Sequence, residues 1–207
     1  MSQASGPYHH GDLRAACLRA ARELLEENGS AALSLRAVAR RAGVSPTAPY
    51  RHYADRDALV SSVAAQGYRE LAEHLAAAHP SPVTPDELAA VAVAYVRFAL
   101  EHPALFRVMF AEPCDPTSEE RVAATVAITE YVRGIVRAAF PGADTDALST
   151  TVWALVHGLA FLHLDGKLDA STPEVVADQV RAAVQALFTA SSAISQTAAG
   201  PSERGTA

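Results

Sequence analysis

Apolar side chains along this chain recur at spacings of three and four and show no sustained alternation at two, which predicts helices and no strands, an all-α protein. Leu13, Cys17, Ala20 and Leu24 step by 4, 3 and 4 behind Asp12, a residue suited to capping, and Gly29 after Asn28 closes this first helix. Leu35, Val38, Ala39 and Ala42 mark one face of a short second helix that Ser34 can cap. Leu59, Val63, Tyr68, Leu71 and Leu75 carry a long helix from Arg56 to about Ala78, capped by Asp55 and broken by His79-Pro80-Ser81-Pro82. Thr84-Pro85-Asp86-Glu87 opens another helix reaching Glu101, and Pro103 starts a short one over Ala104 to Phe110. Asp115-Pro116 restarts the chain toward Phe140, a helix follows from Asp146 to Asp165, and Thr172-Pro173-Glu174 begins the last. From Ser191 the residues read as a frayed tail, and residues 1–8 as a mobile arm.

The stretch Ser34 to Tyr53 is the densest in signals. Gly43 can take the left-handed conformation that ends one helix sharply, and Ser45-Pro46 restarts the chain as cap and first helical residue. Pro49 falls in the first full turn of the second helix and removes one amide, at the expected cost of a hydrogen bond but not of the helix. Tyr50, Arg51 and His52 follow, able to reach phosphates or base edges, and Ala48 can meet a thymine methyl. Helix, glycine turn and helix make a helix-turn-helix, although the bare pattern also suits any corner of an all-α protein.

The residues themselves go further than the pattern. Leu35-Arg36-Ala37-Val38-Ala39, Ala42-Gly43-Val44-Ser45 and Tyr50-Arg51-His52-Tyr53 resemble the DNA-binding domain of TetR-family regulators, and the likeness runs on through Asp55-Arg56-Asp57-Ala58-Leu59. Arg56 stands where that family usually has a lysine on a phosphate, and Pro49 where it usually has leucine. Tyr8-His9-His10-Gly11-Asp12-Leu13-Arg14 is similar to the start of one branch, in which the arm lies near the DNA backbone, and Trp153, His157 and Gly158 resemble the Trp-His-Gly body domain of that branch. The resemblance implies phosphate contacts from Arg36, Tyr50, Arg51, His52 and Arg56, and base-edge contacts from Thr47, Ala48 and Arg51, with Ser45 and Pro46 at the helix start. It also implies a homodimeric transcriptional regulator, usually a repressor, on a palindromic operator in double-stranded DNA, released by a small-molecule effector.

Two later patterns bear on that reading. Leu148, Val152, Leu155, Leu159 and Leu162 step by 4, 3, 4 and 3, and Val176, Val180, Ala183 and Leu187 by 4, 3 and 4, the seam spacing of packed helices. With Val175, Val184 and Phe188 as a second apolar side, the last helix calls for more neighbours than a small domain offers, which a twofold four-helix bundle supplies unless both faces are used up inside one subunit. Trp153 and His157 share a face that can line a ligand cavity with Tyr68, Phe98, Phe106, Met109, Phe110 and Tyr131, or can be plain core. The expected layout is an arm over 1–8, the DNA-binding domain over 9–56, a ligand-binding and dimerisation domain over 57–190, and a tail over 191–207.

Charge sharpens the division. The net charge is −6, yet up to Arg56 eight arginines face five acids, so the front carries +3 and the remainder −9. A basic end on an acidic body suits a protein that meets phosphates with one face. Cys17 and Cys114 lack any paired metal-type spacing, and His9-His10 has no third ligand nearby, so no metal and no cofactor is expected. The start has no apolar leader, and Leu88 to Tyr95 and Val152 to Leu164 read as too short to span a bilayer, which places the protein in the cytoplasm without a membrane. An all-α enzyme or metal protein using His157, His163 and Asp165 lacks an activated-serine turn, a phosphate loop, a helical zinc-type His pair and a shared carboxylate pair. A dimer that binds a small molecule without DNA function is the remaining alternative.

Overall fold

The computed structural model describes residues 13–110 and 116–198, with side chains through Thr189. The readings placed on the arm, the Asp12 cap, Cys114 and Asp115 lie outside the described residues. Among the described residues eight α-helices follow in order: α1 Leu13–Asn28, α2 Leu35–Arg41, α3 Arg56–Ala78, α4 Pro85–Glu101, α5 Pro103–Phe110, α6 Glu119–Ala139, α7 Thr145–Leu164 and α8 Pro173–Ala198. No strand occurs among the described residues.

The helix starts follow from side chains that satisfy amides with no partner of their own. Ser34 Oγ accepts from Ala37 N at 3.1 Å, and an Asp55 carboxylate oxygen from Ala58 N at 2.9 Å. Before α4, Thr84 Oγ1 accepts from Glu87 N at 3.3 Å while Glu87 accepts from Thr84 N at 2.9 Å, a reciprocal capping box. The amides of Val83 and Thr84, both donating to this carboxylate, hold the Glu87 carboxyl below its ordinary range.

Three expectations change. The second helix of the Ser34–Tyr53 motif is a 3-10 turn over Ala48–Arg51. α8 runs on to Ala198, past the expected break at Ser191, because the Ala-, Ser- and Gln-containing end holds no Gly or Pro to stop it. Finally, the Val152–Leu164 run belongs to α7, Thr145–Leu164, which is long and apolar enough by composition to cross a bilayer, with 28% of its most apolar stretch buried.

The chain divides into two compact units, the first holding everything up to Glu70 with His102–Ile128, the second Leu71–Glu101 with Thr129 onward. α3 and α6 therefore each begin in the first unit and end in the second. In the first unit, Cys17, Ala21, Leu25, Val38, Leu59, Val63, Phe106 and Met109 are fully buried and join α1, α2, α3 and α5. A Cβ on Gly67 of α3 would lie 2.7 Å from Met109 Sδ of α5, so these two helices touch where only glycine leaves room. In the second unit α4 is buried almost all round, which requires cover on several sides. α7 and α8 provide it.

His163 of α7 is 3% exposed, and burial holds its imidazole below the ordinary histidine range against an opposing pull from Asp169. The folded state thus binds this proton more weakly than the unfolded chain does. Its contribution to stability is complete above the unfolded value of about 6.5 and is lost as pH falls below it. Thermal midpoints should therefore fall between about pH 7.5 and 5.5, and His163→Gln should flatten that fall in part, since His157 is also held down by burial. An unaltered slope in the variant would remove His163 as a source.

Candidate nucleic-acid interface

α2 ends where its backbone reverses hand. Gly43 has φ +68°, its amide donates to Arg40 O at 3.3 Å, and Val44 N reaches back to Ala39 O at 3.0 Å. This closes the carbonyls left open at the helix end. The chain then makes a single tight turn in place of the expected α-helix. Ala48 N donates to Ser45 O at 3.0 Å, a three-residue step, and Pro49 has no amide to continue with four-residue steps. Proline also disfavours the α conformation at the residue before it, Ala48. Ser45 does not cap this turn: Thr47 occupies the cap position without a side-chain bond, and Ser45 Oγ lies 3.4 Å from Thr47 Oγ1.

Pro49 and Tyr53 are buried, and Tyr50, Arg51 and His52 are exposed, with Ala48 half-buried. The proline ring supplies the inward apolar side chain of the turn, and its carbonyl accepts from both His52 N at 2.9 Å and Tyr53 N at 3.0 Å. Ser45, Pro46 and Thr47 are also exposed.

The arginines from Arg14 to Arg56 fall into two sets. Arg22 bonds Glu70 at 2.9 Å, Arg41 bonds Glu27 at 2.9 Å and Glu23 at 3.2 Å, and Arg14 bonds Glu120. Arg56, expected at a phosphate, instead donates from Nε to Leu33 O at 3.3 Å and from Nη2 to Ser30 O at 3.1 Å. Its two-pronged head fits the carbonyls of the 3-10 turn at Ser30–Ala32, so the charge stays while most of the reach is used. Arg19, Arg36, Arg40 and Arg51 are exposed and have no ion pair or hydrogen-bonded side-chain partner among the described residues. Arg36 and Arg40 are four apart on α2, across from buried Leu35, Val38 and Ala39. Arg40 was absent from the expected contacts, although its spacing from Arg36 was the available signal.

The expected ligand residues separate between the units. Tyr68, Phe106, Met109 and Phe110 lie in the first, where Tyr68 Oη donates to Met109 O at 2.9 Å and the Tyr68 and Phe110 rings meet edge to face at 5.3 Å. Phe98, Tyr131, Trp153 and His157 lie in the second. There Phe98 is buried under His74, His157 Nδ1 is 3.0 Å from Tyr95 Oη, and the His157 ring packs on Trp153 and Phe161. Tyr131 Oη is buried with no hydrogen-bond partner among the described residues, and burial raises its phenol.

The expected dimer seam is also sorted by burial. Leu159, Val176 and Val180 are buried within a single chain, Leu148, Val152, Leu155, Ala183 and Leu187 are half-buried, and Leu162 is 43% exposed. Trp153 is 47% exposed, and a Cβ on Gly158 would meet nothing within 4 Å.

Two family models match: one described as bacterial regulatory proteins of the tetR family over residues 18–63, the other as a tetracyclin repressor-like C-terminal domain over 88–187. HTH-type transcriptional regulators of Mycobacterium tuberculosis and Mycobacterium bovis are 33% identical over 95 residues, 44% of this chain and 41% of theirs. The chain thus spans under half the length of these curated relatives. A structure from Rhodococcus sp. RHA1, of a protein with unknown function, is 34% identical with TM-score 0.73, covering 88% of this chain and 98% of that one. A second Rhodococcus RHA1 structure, a bacterial regulatory protein in the tetR family, shares the fold at 23% identity and TM-score 0.61 over 83% and 94% of the two chains.

The left-handed turn makes a direct prediction. Gly43→Ala should destabilise the protein by about 1 kcal/mol or more, and Gly43→Asn by less, since asparagine tolerates that backbone better. Denaturant midpoints compare the two, and equal midpoints would mean that the turn relaxes freely.

Proposed function

Because the chain belongs to the TetR family of bacterial regulatory proteins, and with it is a DNA-binding transcription regulator and not an enzyme, we propose that it is a homodimeric repressor. In this reading it binds a near-palindromic operator in the cytoplasm and lets go when a small apolar or aromatic effector enters its second unit. The observation that carries the DNA assignment is the unpaired, exposed set Arg36, Arg40 and Arg51 on one helix-turn motif, beside arginines already consumed by carboxylates and carbonyls. These three, with Tyr50 and His52, meet phosphates; Thr47, Ala48 and Arg51 meet base edges from a turn that Ser45 and Pro46 begin. Arg56 supports the neighbouring turn and adds its charge.

The effector reading is supported by chemistry in the second unit. Tyr131 offers a buried hydroxyl in want of a partner among the described residues, and Tyr95, Trp153, His157 and Phe161 form an aromatic group that includes the Tyr95–His157 polar bond. α3 links this unit to the motif, so an effector that binds differently to two positions of α3 changes the aim of the motif.

Gel shifts with the chain's own upstream DNA across salt test the first claim. Arg36→Ala and Arg40→Ala should each weaken binding to all sequences alike and lower the salt slope by about one, changing Thr47 should alter which sequences are preferred, and Arg51→Ala, at a phosphate and a base edge, should do both. A slope unchanged in all three would remove the phosphate assignment. For the dimer, Leu162→Glu is the sharper test than Leu159→Glu, because Leu162 is exposed in one chain and its replacement leaves the fold of that chain intact. The expected result is a helical monomer by light scattering; a persisting dimer would put the interface elsewhere.

A further inference from the structure

The geometry points to Glu120 as a positioning residue for DNA binding, one that pins the start of α6 to both α1 and α3. Its two carboxylate oxygens take different arginines: Oε2 accepts from Arg14 Nη2 in the first turn of α1, and Oε1 pairs with Arg69 Nη1 of α3 at 3.1 Å. The same Arg14 nitrogen lies 3.4 Å from the hydroxyl of Ser62, which is 7% exposed on α3. Three helices are thus tied at one carboxylate. Glu120 is also held from its own side, in the first turn of α6, where the helix dipole favours an acid and Ser118 Oγ accepts from Arg121 N at 3.4 Å.

Stability alone does not account for this bridge. Arg14 and Arg69 are 42% and 49% exposed, and ion pairs so open to water add little to stability. The apolar hold of α6 in the first unit is small, since Ala124 is its buried residue there and Val122 and Val126 are 50% and 54% exposed. A helix seated on so little apolar surface can slide or roll, and a carboxylate fixed between two guanidiniums supplies the missing register. α1 in turn packs on α2 and on the Ala48–Arg51 turn, so the position Glu120 imposes on α1 is passed to the exposed arginines of the motif.

The sign of the effect separates positioning from plain electrostatics. Removing a negative charge from a DNA-binding unit tightens binding if charge alone matters. Loss of a positioning bridge weakens it. The inference rests on the DNA-binding reading above, and one experiment distinguishes the two: full-length wild type, Glu120→Gln, Arg69→Gln and the double variant are titrated with the upstream DNA fragment at two salt concentrations. Glu120→Gln should bind about fivefold or more weakly, with an unchanged salt slope and a thermal midpoint within a few degrees of wild type. The double variant should bind no more weakly than Glu120→Gln alone, because both changes break one bridge. If wild type fails to bind, the DNA reading falls. If wild type binds and Glu120→Gln binds as well or better, or if the two losses add in full, the positioning role is overturned. Should Glu120→Gln lose its fold, Arg69→Gln, which keeps the Arg14 contact, decides alone: it must weaken binding with an unchanged salt slope, and a lower slope would mark it as a phosphate contact instead.

Discussion

A proline in the second half of a helix-turn-helix leaves one carbonyl without its donor, and the exposed surface of this motif takes its shape from that deficit. Inside an α-helix the loss and the accompanying clash come to about 3 kcal/mol or more. Here the chain avoids that by winding tighter, with the Ser45 carbonyl satisfied by Ala48 N and the Pro49 carbonyl taking two amides. The ring then serves as a core side chain. Three residues per turn also bring positions three apart into line, so Ala48 and Arg51 share one edge of the turn.

The second constraint is that a guanidinium committed to one partner is largely withdrawn from others. Arg22 and Arg41 fasten α1 to α3 and α2, and Arg56 fastens α3 to the turn at Ser30–Ala32. The motif is therefore held from behind by ion pairs and carbonyl bonds, while different arginines stand exposed on it. A close-packed core makes the frame stiff as well: α3 and α5 are in contact through Gly67 and Met109, and Tyr68 bonds the carbonyl of the same methionine. With no slack between them, a displacement of α5 is carried into α3 as a shift and not absorbed as compression.

Much of this was legible in the residues because its causes are local. A serine or aspartate hydroxyl or carboxylate placed before an apolar periodic run, or a glycine after one, acts on amides within four residues, and Ser34, Asp55, Thr84 and Gly43 act where their neighbours said they would. What remained hidden depends on distant partners. The choice of Arg56 between a phosphate and two carbonyls is decided by where Ser30 and Leu33 fold, more than twenty residues away. Heptad spacing on the last two helices showed which faces are apolar but not what covers them. Val176 and Val180 turn inward in a unit built around α4, whereas Leu162 faces out. The TetR resemblance named the surface, and burial had to sort its members.

α7 shows how far composition misleads when faces are not separated. By length and mean hydropathy it resembles a bilayer span. Lipid, however, would have to be met by the outward side, and the two sides differ in kind. Its buried side carries the polar Ser149 and His163, while the outward side gathers Thr150, Thr151, Trp153, Gly158 and Leu162. The two threonine hydroxyls are turned back onto Asp146 O and Ala147 O at 2.9 Å, which satisfies them within the helix and leaves methyl groups outward. Next to them a glycine with open space admits a close neighbour, and a tryptophan and a leucine offer large area to bury. That outward side covers about half of the helix circumference, and its mixture of threonine, glycine and large apolar residues fits another helix better than lipid, which would demand apolar side chains on every face. Under the proposed dimer, a second copy of α7 is that neighbour.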